Sequence, residues 1–107
     1  MAKQIKFTYR GEDYCLEYTR RTVKMMESEG FRPADVGDKP GTAIPQLFAG
    51  AFKAHHPFIK GRVIDEIFDL FTNKIELVNT LAEMYAEPLE AMMDEPKEGN
   101  LTWTVEN

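Results

Sequence analysis

The sequence has little cysteine and no long apolar run, and each shortage excludes a class of protein. Cys15 is the one cysteine among 107 residues, so an internal disulfide is excluded, and no Cys and His cluster has zinc-site spacing. No apolar segment approaches the roughly 20 residues that cross a bilayer. The alternating start of the chain, residues 4–9, does not resemble a signal peptide. We therefore predict a soluble cytoplasmic protein that does not bind a membrane.

Basic residues are scarce in the second half of the chain. Residues 1–60 hold 10 Lys and Arg against 7 Asp and Glu, whereas residues 61–107 hold 3 against 11, which together give the net charge of −5. Binding to a phosphate backbone depends on basic residues, so nucleic acid is not predicted as a partner. Five basic residues near the start form either a local patch or, as we interpret them, a solvated surface: Arg10, Arg20, Arg21, Lys24 and Arg32.

A β-hairpin is predicted at the start of the chain. Apolar and polar residues alternate over residues 4–9 and again over residues 14–18, which is the pattern of half-buried strands. Residues 10–13 between them have turn composition. The apolar faces of the two strands match.

The first predicted helix spans Arg20–Glu29. Thr19 precedes it as an N-cap. Gly30 follows it in the position that favours a left-handed conformation, and Phe31 is then placed to contact Met26. A loop is predicted over residues 32–41 because it contains two prolines and two glycines.

A central helix is predicted to begin after a Thr42 cap, with Pro45 in its first turn, and to end at residues 55–57. Small residues around Gly50 leave little bulk on its surface. Neighbouring elements can therefore pack closely against this helix.

Three further helices are predicted from apolar periodicity and from proline. A third helix covers residues 63–71. Asn73 and Glu76 have the spacing of a capping box for a fourth helix, and Pro88 starts a short fifth helix.

A final strand is predicted from the alternation of Leu101, Trp103 and Val105 with polar residues. A lone strand is not stable, and the N-terminal hairpin is the sheet to which it can add. The sequence therefore predicts a single α+β domain over residues 1–107. In this fold a small antiparallel sheet, made of the N-terminal hairpin and the C-terminal strand, packs against four or five helices.

Residue chemistry does not favour an enzyme. His55 and His56 are adjacent, so on a helix they diverge by roughly 100° and do not share one ligand. Cys15 has Glu17 as its neighbour on the same strand face, which disfavours a reactive thiolate. We predict no catalytic residue, no cofactor and no bound metal.

Binding to another protein is better supported. Methionines near the acidic end of the chain either fill the core or form an adaptable apolar surface. Sheet edges are a second place where another chain can add. The residues predicted to contact a partner are Phe58, Ile59, Leu89, Met92 and Met93.

Several segments together resemble one family of small phage and prophage proteins of Gram-positive bacteria. They extend over nearly the whole chain: Lys6-Phe7-Thr8-Tyr9, residues 14–21, Met26-Glu27, Gly30-Phe31, residues 47–56, residues 63–68, Thr72-Asn73-Lys74 and residues 81–88. Members of this family are similar to tail assembly chaperones, which are encoded beside the major tail protein and the tape measure protein.

The resemblance implies a non-enzymatic function in the cytoplasm of a bacterial host. A chaperone of this kind binds the long, helical tape measure protein during tail morphogenesis, and the major tail protein is a second expected partner. Self-association is expected as well. Two alternatives stay open, a structural tail completion or connector protein of the virion and a small DNA-binding regulator.

Overall fold

The computed structural model describes residues 3–94, 99 and 101–106 of the chain. Within them the chain has the predicted α+β fold, with one antiparallel hairpin and five helices. In chain order the elements are β1 (Ile5–Tyr9), β2 (Glu12–Leu16), α1 (Arg20–Ser28), α2 (Asp35–Asp38), α3 (Pro40–Gly50), α4 (Gly61–Leu70) and α5 (Lys74–Ala91).

The hairpin forms where the sequence predicts it, but its turn is shorter than the predicted residues 10–13. Strand β2 begins at Glu12 and ends at Leu16, so the turn has two residues. Tyr9 pairs with Glu12, and Arg10 and Gly11 between them have φ angles of 51° and 79°. Two positive φ angles are the requirement of a type I′ turn, whose twist matches that of the flanking strands. Glycine meets this requirement without strain, whereas Arg10 adopts a conformation that is uncommon for its type.

Both ends of α1 are closed as the sequence predicts. The Thr19 hydroxyl accepts a hydrogen bond from the backbone N–H of Thr22, and the Thr22 hydroxyl accepts one from the N–H of Thr19. At the other end the N–H of Gly30 donates to the carbonyl of Glu27, and the N–H of Phe31 to that of Met26. This pair of bonds is the Schellman motif, which needs the positive φ of Gly30, 95°.

The predicted bounds of the central helix are wrong. Helix α3 begins at Pro40 rather than after Thr42, so Pro45 lies in the interior. The helix ends at Gly50, and tighter turns continue the chain, since the N–H of Lys53 donates to the Gly50 carbonyl three residues back. Proline removes one backbone hydrogen bond, and the buried face of α3 keeps the helix intact despite that loss.

The predicted capping box at Asn73 is also wrong. Asn73 has a left-handed conformation with φ of 54°, and its side chain makes no capping hydrogen bond. Lys74 instead satisfies the end of the preceding helix, because its Nζ donates to the carbonyls of Asp69 and Phe71 at 3.2 and 2.7 Å. A lysine on the last carbonyls of a helix is a favourable charge arrangement.

Pro88 does not begin a separate fifth helix. Helix α5 continues through it for 18 residues, from Lys74 to Ala91. Pro88 is buried, as are Met84 and Tyr85 one turn before it. Packing of this face therefore outweighs the missing N–H, as it does at Pro45.

The predicted C-terminal strand is absent from the described residues. Residues 101–106 have no regular secondary structure, and the sheet has two strands. Leu101, Trp103 and Val105 are exposed, with Trp103 at 81%. The acidic segment Asp94–Gly99 is predicted to break the pattern before this strand, and its residues 95–98 lie outside the described residues.

One cluster of buried apolar side chains joins the hairpin to the helices. Helix α3 crosses its centre, so that Phe48 has its ring centroid 5.1 Å from those of both Phe52 and Phe68. The buried members are Leu16, Tyr18, Val23, Met26, Phe31, Ala43, Leu47, Phe48, Ala51, Phe52, Ile64, Ile67, Leu81, Met84 and Tyr85.

Candidate partner-binding groove

A groove of about 440 Å³ lies between α1 and the C-terminal end of α5. The α1 side contributes mostly charged residues and the α5 side apolar ones. The groove is lined by Arg20, Arg21, Val23, Lys24, Glu27, Pro88, Leu89 and Met92. We call it the α1–α5 groove.

The α1 wall of the groove is basic because of helical spacing. Arg20, Lys24 and Glu27 follow one another at intervals of four and three residues, which places them on one face. Arg20, Arg21 and Lys24 are exposed, whereas Val23 is buried. Among the described residues none of these three basic side chains forms a salt bridge within 4 Å. The wall therefore presents three positive charges and, at Glu27, one negative charge, so it is basic on balance.

The α5 wall contains two of the predicted partner-binding residues. Leu89 and Met92 both line the groove. Met92 is 54% exposed, whereas Leu89 is half-buried and packs against the core. Met93 follows at the end of the helix with 85% of its surface exposed. Leu89 and Met92 thus form an apolar strip beside the basic wall, and Met93 is an exposed apolar residue next to it in the chain.

The other two predicted residues lie elsewhere, in the connection between α3 and α4. Phe58 is 94% exposed there. Ile59 is half-buried and packs against the core cluster. Neither belongs to the lining of the α1–α5 groove. The structure thus brings Leu89 and Met92 together and separates them from Phe58 and Ile59.

The opposite side of the α5 terminus is acidic. A second cavity, of about 450 Å³, also has Arg20 and Pro88 in its lining, and its carboxylates come from Glu17, Glu87, Glu90 and Asp94. The end of α5 therefore separates a basic surface from an acidic one. A partner that lies in the α1–α5 groove meets positive charge on one side only.

The adjacent histidines point to different partners and act as structural contacts. The Nε2 atom of His56 accepts a hydrogen bond from the backbone N–H of Cys15 at 3.0 Å. His55 bonds through Nε2 to Oε1 of Glu17 at 2.7 Å. In the His56 bond the lone pair of Nε2 is the acceptor, so this nitrogen is used within the fold.

Glu17 is the charged group most affected by this arrangement. The hydrogen bond with His55, and to a smaller extent that with Gln4, lowers the pKa of the Glu17 carboxyl, although desolvation opposes the shift. The side chain is 17% exposed. Glu17 and His55 thus fix the end of β2 onto the segment that follows α3.

Sequence reasoning missed the basic wall as part of a site. The signal is present, since Arg20, Arg21 and Lys24 lie close together in the sequence, but a solvated surface is the interpretation that their spacing favours. What the sequence does not contain is the position of α5, which lies across from this face of α1. Sequence reasoning also missed His56 as a partner of the β2 backbone.

Two features are absent from the described residues. In residues 3–94, 99 and 101–106 no helix is both long and apolar enough to span a membrane. The same part of the chain has no group of three or more His, Cys, Asp or Glu that is placed to hold a metal ion.

Comparison with known proteins identifies a family. No curated protein and no solved structure is significantly similar to this chain. The match to a family extends over residues 1–107. The chain therefore belongs to the family described as "Domain of unknown function (DUF5055)".

Proposed function

We propose that this protein is a non-enzymatic tail assembly chaperone, which binds the tape measure protein in the cytoplasm of a bacterial host during phage tail morphogenesis. The major tail protein, which polymerises around the tape measure protein, is the second proposed partner. The observation that carries the proposal is the apolar strip of Leu89 and Met92 beside the basic wall of the α1–α5 groove, with the exposed Met93 next in the chain.

The shape of the groove suits a helix. Helix α1 has nine residues, which corresponds to about 13 Å of wall, so two to three turns of a partner helix fit along it. An amphipathic helix docks by placing apolar side chains at intervals of three and four residues into such a groove. Met92 suits this role because its flexible thioether side chain adapts to different apolar surfaces.

The charge of the groove restricts which partner helices can bind in it. Arg20, Arg21 and Lys24 attract a helix whose apolar stripe is flanked by Asp or Glu. The overall charge of −5 has a different role, since a net negative surface keeps the coated tape measure protein soluble before the tube forms. Neither nucleic acid nor a membrane is a partner in this proposal.

Co-expression with the tape measure protein that is encoded near this chain tests the proposal. The wild-type chain is expected to keep the tape measure protein in the soluble fraction. The double variant Met92→Glu/Met93→Glu is expected to lose this effect, because docking would then desolvate two carboxylates. Ile75→Glu is the matched control, since Ile75 is 82% exposed near the other end of the same helix. It adds a charge of the same sign away from the groove.

Reversing charges on the α1 wall measures its contribution to binding separately from that of the α5 wall. Arg21→Glu/Lys24→Glu is expected to weaken binding and to reduce its salt dependence, because the attraction of the basic wall is lost. Circular dichroism must show native helix content in each variant. A double Met variant that still solubilises the tape measure protein contradicts the proposal. Recovery of the wild-type chain in purified virions, together with an insoluble tape measure protein, favours the structural alternative.

A further inference from the structure

The C-terminal segment has the pattern of a strand without a sheet. Leu101, Trp103 and Val105 alternate with Thr102, Thr104 and Glu106, and the three apolar side chains are 94%, 81% and 75% exposed. The radius of gyration is 16.3 Å, compared with about 13 Å for a compact domain of this length. The exposure of these side chains shows that the segment is not packed in the core of its own molecule.

The outer edge of β1 is a sheet edge without a strand. The register pairs Tyr9 with Glu12 across a two-residue turn. Pairs that exchange hydrogen bonds alternate with pairs that do not, starting from the residues beside the turn. The backbone N–H and C=O groups of Lys6 and Thr8 therefore point away from β2. Both residues are exposed, and within the described chain no third strand pairs with them.

The outer edge of β2, in contrast, is closed. Nε2 of His56 accepts the N–H of Cys15 at 3.0 Å, and the carbonyl of Ala51 accepts the N–H of Glu17 at 3.0 Å. The segment after α3 thus occupies the positions that an added strand would need. Strand addition is restricted to the β1 side.

The core face beside β1 is incompletely covered. Ile5, Phe7 and Tyr9 point to the core and are only half-buried. On α4, Glu66 accepts a hydrogen bond from the Tyr9 hydroxyl at 3.1 Å, and Leu70 lies one turn further along the same face with 68% exposure. An added strand with apolar side chains on this face would cover both sets of residues.

We propose that residues 101–106 of one copy add as a third strand to the outer edge of β1 in a second copy. Leu101, Trp103 and Val105 then extend the apolar face of Ile5, Phe7 and Tyr9. Thr102 and Thr104 lie on the exposed face with Lys6 and Thr8. A second copy is the occupant because the apolar side chains of the segment stay exposed on their own domain while the β1 edge of that same domain stays open.

This self-association is independent of the tape measure protein, so the purified chain alone tests it. Trp103 is the only tryptophan, so its fluorescence reports the segment directly. As the protein concentration rises, the emission maximum is expected to move to shorter wavelength in parallel with an increase in sedimentation coefficient. Emission that does not depend on concentration overturns the proposal, whether it indicates an exposed tryptophan or a buried one.

A variant without tryptophan, used as the acceptor of the added strand, tests whether the strand adds to the β1 edge. Dilute wild-type chain is mixed with an excess of Trp103→Ser, whose β1 edge is intact, and the emission of the wild-type Trp103 is expected to shift. Trp103→Ser/Thr8→Pro is expected to cause no shift, because proline removes the outward N–H that the added strand needs. Trp103→Ser/Thr8→Val is the matched control. It also loses the Thr8 hydrogen bond to Asp13 but keeps the N–H.

Each outcome decides the proposal. A shift with the valine acceptor and none with the proline acceptor supports strand addition at β1. An equal shift with both acceptors overturns it, as does no shift with either. Circular dichroism checks that the proline variant is folded. If the Thr8→Pro acceptor is not folded, Lys6→Pro takes its place, because it removes the other outward N–H of the same edge.

Discussion

Gly50 of α3 lies directly against Met26 of α1. A Cβ atom added at Gly50 would come within 2.6 Å of Cε of Met26 and still closer to its sulfur. Met26 is 3% exposed, so this contact lies inside the core. The glycine at the end of α3 is thus explained by the approach of α1. The close packing agrees with the expectation from the small residues around position 50.

Gly50→Ala is expected to lower the free energy of unfolding by about 1 kcal/mol. Alanine gains up to about 1 kcal/mol in helix propensity, whereas overpacking against Met26 costs about 1 to 3 kcal/mol. Met26→Ala removes the clash, so the double variant should be less destabilised than the sum of the single variants. Urea unfolding of the four proteins measures this coupling. Strict additivity would show that the two side chains do not compete for space.

Two buried tyrosines are expected to differ in their response to loss of the hydroxyl. The Tyr18 hydroxyl donates to the carbonyl of Leu47, whereas the Tyr85 hydroxyl has no hydrogen-bond partner among the described residues. Tyr18→Phe should destabilise the fold by about 1 kcal/mol. Tyr85→Phe should be neutral or stabilising. Thermal unfolding of the pair compares them, and a larger loss for Tyr85→Phe would disprove the assignment.

Glu17 is expected to contribute acid sensitivity. Its pKa is lowered in the folded protein, chiefly by the hydrogen bond with His55. The carboxylate therefore stabilises the fold above its unfolded pKa, about 4.3, and this contribution is lost as the pH falls through the folded value. The stability difference between wild type and Glu17→Gln should be largest near neutral pH and shrink below about pH 4. Urea unfolding across this range measures it. A difference that grows on acidification would contradict the sign of the shift.

Apolar residues of the C-terminal segment are expected to matter little for the stability of a single copy. Trp103 is 81% exposed and Leu81 is 1% exposed. In dilute solution Trp103→Ala should change the free energy of unfolding by less than about 0.5 kcal/mol. Leu81→Ala should cost about 2 to 5 kcal/mol. Chemical denaturation checks both. A large loss for Trp103→Ala would show that the segment belongs to the core of its own domain.

The elements predicted correctly are those for which the local signal is complete within a few residues. The hairpin needs only matching alternation and a turn, and α1 needs only Thr19 before it and Gly30 after it. In both cases the residues that satisfy the backbone hydrogen bonds lie next to the element. For the candidate groove, the sequence predicts Leu89 and Met92 as partner-binding residues. It does not predict that the basic residues of α1 lie opposite them.

The errors occur where distant contacts outweigh a local preference. Pro45 and Pro88 each favour a break, yet each lies inside a continuous helix because its neighbours are buried. Asn73 and Glu76 have the spacing of a capping box, but the capping hydrogen bond does not form. The left-handed backbone of Asn73 instead lets Lys74 close the end of α4. The alternation of residues 101–106 predicts a strand, but a strand also needs an edge with which to pair.

The sequence by itself determined the α+β class, the presence of the hairpin, the limits of α1 and the acidic character of the second half. These follow from side-chain periodicity, turn chemistry and charge, which act over short distances along the chain. Only the tertiary structure decided that α5 passes Pro88 unbroken, that His56 closes one sheet edge, and that Arg20, Arg21 and Lys24 face Leu89 and Met92. Each of these depends on residues far apart in sequence, whose meeting is set by how the helices pack.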